Sequence, residues 1–186
     1  AMRNAEPAEE VTITKAMLDH AKRAKYPVLI GLKEKDTVSV ENLLLMFMLT
    51  RADDVRAALA TVMAGTEKKA VEQMNQLAGD LRLKDTKIKA TDGGYVSGQH
   101  TNAYDLYVIL RELFTHDLFS ENYAKSLVTV KVTQENGTER TIRVKNAERS
   151  YSHLYGTPTV PEGYRFLARM SGGCALSGLS QVVLTE

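Results

Sequence analysis

Tryptophan is absent from these 186 residues, cysteine occurs once and proline four times. The lone Cys174 excludes an internal disulfide framework and a cysteine-rich zinc site. His20, His100, His116 and His153 are scattered, without the close pairing of a metal site, so no metal or cofactor is expected. Net charge is also missing, because 24 Lys and Arg oppose 23 Asp and Glu. A nucleic-acid binder usually shows a basic excess or stripe, so that partner is not expected. No apolar run approaches the roughly 18 residues of a membrane span. The longest, Leu43 to Leu49, reads as a buried helix face. The opening Ala1-Met-Arg-Asn-Ala-Glu-Pro7 is polar and has no signal-peptide core. The expectation is that the protein stays inside or that its leader has been removed.

The chain does have enough apolar residues to fold, at 44%. Its length suits one domain, residues 1–186, with a helical part over about 15–125 and a strand-rich part over about 126–186. The segment from Thr12 opens a short strand or helix that ends near Pro27. Ser39 is placed as an N-cap, with Glu41 and Asn42 in the first turn. Val55, Ala58, Leu59, Val62 and Met63 form one apolar stripe at helical spacing. Gly65 stops that helix and Thr66 caps the next, whose inward face is Val71, Met74, Leu77, Ala78 and Leu81. Residues 84–99 have no period and read as a glycine-bearing loop, with His100 at its edge. Thr101 or Asn102 caps a further helix, buried through Leu106, Ile109, Leu110, Leu113 and Phe114, with Asp105 suiting the helix dipole.

From Leu127 the period changes to two. Val128, Val130 and Val132 alternate with polar residues, as do Ile142 and Val144. Asn136-Gly137 between these runs is a hairpin signal, and a type I′ turn would put both residues at positive φ. Residues 149–163 read as a loop. Tyr164 to Leu167 and Ala175 to Leu184 read as two more strands, linked by Ser171-Gly-Gly173. Helices first and strands last imply an α+β fold with helices packed on an antiparallel sheet.

Val38-Ser-Val-Glu-Asn-Leu-Leu44, Leu49-Thr-Arg-Ala-Asp-Asp54, Gly93-Gly94 and Gly98-Gln-His-Thr-Asn-Ala-Tyr-Asp-Leu106 carry a family resemblance. In order and spacing they resemble the serine D-alanyl-D-alanine carboxypeptidases, the low-molecular-weight penicillin-binding proteins. The resemblance covers roughly residues 3–185 and is strongest over 38–113. It implies the β-lactamase-like transpeptidase fold and an acyl-enzyme chemistry on peptidoglycan stem peptides. Those enzymes use Ser-x-x-Lys, Ser-x-Asn and Lys-Thr-Gly. The serine attacks the penultimate D-Ala carbonyl, and the lysine one helical turn on takes its proton. This chain is read as lacking all three motifs.

Matching Leu49-Thr-Arg-Ala-Asp-Asp54 to a Leu-Pro-Ser-Gly-Asn-Asp pattern places Arg51 on the serine and Asp53 on the asparagine. Arginine cannot relay a proton, and an ionised Asp offers acceptors only. Arg51 and Asp53 could pair in a rewired pocket, or form an ordinary surface ion pair. The Lys-Thr-Gly strand falls between Val160 and Leu176, where Arg169 and Ser171 are the nearest substitutes. Thr12-Ile-Thr-Lys15 imitates Ser-x-x-Lys, but Thr66 to Lys69 and Thr86 to Lys89 match it equally well. The resemblance thus offers no catalytic residue and four cleft candidates by position: Arg51, Asp53, Arg169 and Ser171. It places the nucleophile helix before residue 1, leaves the sheet incomplete and open to self-association, and implies a bacterial, extracytoplasmic setting. Two functions follow. One is a carboxypeptidase lineage in which this chain is inactive. The other is a non-catalytic peptidoglycan-binding or interaction module.

Overall fold

A computed structural model describes residues 6–23, 27–93, 96–123 and 125–146, together with the backbone of 164–171 and 179–185. Strand β1 (Glu10–Thr12) leads into helix α1 (Lys15–Ala21), capped by the Thr14 hydroxyl. Strand β2 (Thr37–Ser39) runs directly into α2 (Val40–Thr50), because Ser39 accepts the Asn42 N–H at 3.2 Å. Helices α3 (Asp53–Ala64) and α4 (Glu67–Asp80) follow, separated by Gly65 and the Thr66 cap. Asn102 caps α5 (Ala103–Leu113), and the short α6 (Asp117–Ser120) completes the helical part.

The strands do not all come last. β1 pairs antiparallel with β2, placing Val11 opposite Val38. β2 touches β3 (Leu127–Thr133) at Thr37–Thr133, and β3 pairs along its length with β4 (Glu139–Lys145). The result is an antiparallel sheet in the order β1-β2-β3-β4. β5 (Tyr164–Ser171) and β6 (Leu179–Thr185) form a second antiparallel pair, with a bulge between Phe166 and Ala168. Gly94, Cys174, His153 and the loop expected over 149–163 lie outside the described residues.

The core lies where α2 meets the four-stranded sheet and α3. Val130, Val132, Ile142 and Val144 supply the sheet's inner face, against Leu43, Met46 and Leu49 of α2. Full burial of a side chain such as Leu43 contributes about 1.5–3 kcal/mol. The α3 stripe is buried at Val55, Ala58 and Leu59, while Val62 is half-buried against the core.

Three expectations are corrected. Helix α4 buries only Ala70 and Ala78 and leaves Met74 exposed, because it packs along the outer side of α3. Helix α5 buries Val108, Leu110 and Asp105, so of its expected face only Leu110 is fully buried, while Leu106, Ile109, Leu113 and Phe114 are half-buried. The β3–β4 hairpin is present, but Asn136 has no positive φ and Gly137 alone does, at 78°. Gly137 N–H donates to Gln134 O and Gln134 N–H donates to Thr138 O, both at 2.8 Å. That is a three-residue loop with the glycine in the left-handed position, not a type I′ turn.

Candidate functional site

The α2–α3 junction is where the resemblance sets the Ser-x-Asn segment, and its backbone is constrained. Thr50 Oγ1 donates to Met46 O at 2.7 Å and accepts from Ala52 N–H at 3.2 Å. Arg51 N–H donates to Phe47 O at 2.8 Å, which closes the helix with Arg51 at φ 55°, ψ 30°. A residue with a Cβ costs roughly 1–2 kcal/mol in that left-handed region. Strain of this kind collects at functional sites. Arg51 is exposed, and Ala52 beside it is fully buried.

The two carboxylates that open α3 turn away from solvent. Asp53, 8% exposed, accepts Val28 N–H on Oδ2 at 3.0 Å and Arg56 Nε on Oδ1 at 3.2 Å. Asp53 N–H in turn donates to Val28 O at 2.6 Å. Asp53 is therefore not the surface ion pair expected at the helix start. Asp54, 2% exposed, accepts the N–H groups of Ile30, Gly31, Leu32 and Val55 at 3.0–3.2 Å. Together they pin segment 28–32 along the start of α3, with Val28 and Leu29 held at the surface.

Arg56 carries the arrangement outward. One Nη1 donates to Glu67 Oε1 at 3.0 Å and to Thr91 Oγ1 at 2.6 Å. The Thr91 hydroxyl donates to the same Glu67 oxygen at 2.6 Å, and His20 Nε2 of α1 lies 2.6 Å from the other. Burial pushes the Glu67 carboxyl up. The Thr91 hydrogen bond and the His20 and Arg56 charges outweigh it, and the group sits below the ordinary glutamate value. Sequence reasoning missed Asp54, Arg56, Glu67 and His20. The available signal was the Asp53–Arg56 spacing of three on a helix that had to bury its first turn.

Another buried carboxylate orders the loop before α5. Asp105, 2% exposed, accepts Asp85 N–H and the Thr86 hydroxyl, each at 2.8 Å. Burial raises its carboxyl, but the Thr86 bond, the Asp85 and Lys84 N–H groups and the Lys84 charge bring it below the ordinary aspartate value. The loop itself folds back at the Lys87–His100 bridge, so His100 is a backbone partner at its base.

Arg169 and Ser171 lie on β5, opposite Gln181 and Leu179 of β6, and their side chains are outside the described residues. Of the Ser-x-x-Lys imitations, Thr12 and Lys15 are both exposed, Thr66 is consumed as a helix cap and Thr86 by Asp105. The motif reading needs one correction: a literal Ser-x-Asn does occur, at Ser120-Glu121-Asn122. It closes α6, where Ser120 Oγ donates to Asp117 O and the Asn122 amide donates to Leu118 O, so both groups are tied locally. Among the described residues no cluster of His, Cys, Asp or Glu could hold a metal ion.

The family described as D-alanyl-D-alanine carboxypeptidase matches residues 2–159. D-alanyl-D-alanine carboxypeptidase DacD of Escherichia coli (strain K12) is 39% identical over 121 residues, 59% of this chain and 30% of that protein. DacF of Bacillus subtilis (strain 168) is 26% identical over 135 residues, 73% of this chain and 34% of that one. The chain thus aligns with about a third of the length of these curated relatives. The Streptomyces K15 DD-transpeptidase structure shares the fold, with a TM-score of 0.75 at 23% identity over 98% of this chain and 74% of that one. Penicillin binding protein 6B from Escherichia coli gives 0.70 at 26% identity, over 97% of this chain and 52% of that one.

Proposed function

We propose, from the premise that this chain belongs to the D-alanyl-D-alanine carboxypeptidase family, that it keeps the family scaffold and forms no acyl-enzyme. The carrying observation is the α2–α3 turn. Where the family pattern has a proton-relaying serine and a ligand-facing amide, this chain has exposed Arg51 and a buried Asp53 engaged by Val28 and Arg56. Neither group can perform the family's step. These 186 residues also hold no Ser-x-x-Lys to supply an activated nucleophile. Labelling the folded protein with a fluorescent penicillin tests the reading. No label surviving denaturation is expected, and stoichiometric covalent label sinks it.

The same turn supports a second reading, a non-catalytic module that binds the stem peptide of peptidoglycan in a bacterial cell envelope. The negative charge of Asp53 is met internally by Arg56, so it does not oppose an anionic peptide terminus as an exposed aspartate would. Arg51 would supply positive charge for that terminus. Calorimetric titration with a pentapeptide ending in D-Ala-D-Ala, against its C-terminal amide, separates the two readings. Preference for the free carboxylate supports binding, and equal affinity or none removes it. Self-association through the sheet is a weaker proposal. The β4 edge exposes Glu139, Arg143 and Lys145, and such charges discourage edge pairing. Sedimentation across a concentration series decides it.

A further inference from the structure

Arg56 touches both the α2–α3 turn and, at Thr91, the middle of the glycine-bearing loop. We infer that it is a positioning residue, which locks these two elements into one unit by drawing Asp53 inward. The inference rests on the proposed function only in treating this turn as cleft wall.

The chemistry is that of a buried guanidinium, 6% exposed. Its planar fork can satisfy several acceptors at fixed angles, which a lysine ammonium cannot copy. The Nε edge takes Asp53 of the turn, while Nη1 takes Thr91 of the loop and Glu67 of α4. Glu67 closes the circuit by accepting the Thr91 hydroxyl and by its contact with His20. Each group depends on the others, because a buried charge that loses one partner is left uncompensated. Just before Thr91 the loop is tightly folded. The Lys89 and Ala90 N–H groups both donate to Gln99 Oε1, and the Lys89 ammonium sits 2.7 Å from where a Cβ on Gly98 would be. Fixing Thr91 therefore fixes this fold relative to Asp53.

Amide hydrogen exchange on the whole chain tests this without any ligand. The reporters are Val28 N–H, which bonds Asp53, and the Lys89 and Ala90 N–H groups. In Arg56→Met, exchange is expected to rise at least tenfold at both places and to stay unchanged in the β3–β4 ladder. A rise at one place only overturns the coupling. Should Arg56→Met loosen the ladder as well, Thr91→Val decides, since it leaves the Asp53–Arg56 pair in place. A severalfold rise at Val28 together with Lys89 and Ala90 supports the unit, and a rise confined to the loop refutes it. Arg56→Lys is expected to behave as Arg56→Met, and full rescue by lysine would show that charge alone suffices. Penicillin labelling judges the proposed function separately, because it reads chemistry and not coupling.

Discussion

Val28 and Asp53 hold each other by two hydrogen bonds: Asp53 N–H donates to Val28 O at 2.6 Å, and Val28 N–H donates to the Asp53 carboxylate at 3.0 Å. The pair links segment 28–32 to the first turn of α3. It also decides what position 53 can do. A carboxylate that accepts one backbone N–H and one arginine inside the protein is a structural group, whatever its counterpart does elsewhere in the family.

Asp54 is expected to be the more costly residue to lose. Its carboxylate accepts three successive N–H groups, from Ile30, Gly31 and Leu32, as well as that of Val55. Asp54→Ala leaves those donors without their partner at about 1–3 kcal/mol for a fully buried one. Part of the segment is exposed and can turn to water, so the expected loss is about 3 kcal/mol in total. For a chain of this size that lowers the melting temperature by roughly 6–12 °C. Thermal unfolding followed by circular dichroism checks it, and a shift within error would mean that the segment needs no anchor.

Asp105 gives the acid limb of the stability curve a specific contribution. Its folded value lies below the ordinary 3.8. The ionised form is thus preferred by the folded state. The stability it contributes is present above 3.8 and is lost as pH falls through the lowered value. Asp105→Asn removes this dependence. The stability gap between wild type and variant should be constant near neutral pH and shrink below about pH 4. A gap that grows on acidification would reverse the sign and refute the assignment.

Gly137 is the turn position that needs glycine. At φ 78° a side chain meets open space but a strained backbone. Gly137→Val should cost about 1–2 kcal/mol. Asn136→Gly, which would help a type I′ turn, should bring no gain, because Asn136 has no positive φ. Urea denaturation of both variants distinguishes the observed loop from the one expected from the dipeptide.

The parts of the fold that are legible in the sequence are the local ones. Caps and stops are local: Ser39, Thr66 and Gly65 each act on residues within one helical turn and stand where the pattern puts them, and Asn102 is the one of the two candidates, Thr101 and Asn102, that caps α5. The alternation of Val130, Val132, Ile142 and Val144 likewise reports its own sheet face. What escaped depends on partners far along the chain. The inward face of α4 could not be known without the packing of α3. The pairing of β2 with β3 joins Thr37 to Thr133 across nearly a hundred residues. The site divides in the same way. Arg51 and Asp53 are found by aligning a motif, but the inward turn of Asp53 depends on Val28, Arg56 and Glu67, which no local pattern brings together.

Arg51 allows the backbone of the turn to be separated from its side chain. The residue sits at φ 55°, in a region glycine enters freely and other residues enter at a cost of about 1–2 kcal/mol. Arg51→Gly relieves that strain. It also gives the unfolded chain more freedom, at a cost of about 0.5–1 kcal/mol. The net effect on stability should lie between zero and a gain of about 1 kcal/mol. Arg51→Val keeps a Cβ and adds branching, so it should lose about 1–2 kcal/mol. Both remove the guanidinium. If the side chain serves a peptide carboxylate, both variants lose affinity for the D-Ala-D-Ala pentapeptide equally while their stabilities diverge. Affinity that follows stability, with the glycine variant binding as wild type does, would assign the turn to the scaffold and leave Arg51 no role in recognition.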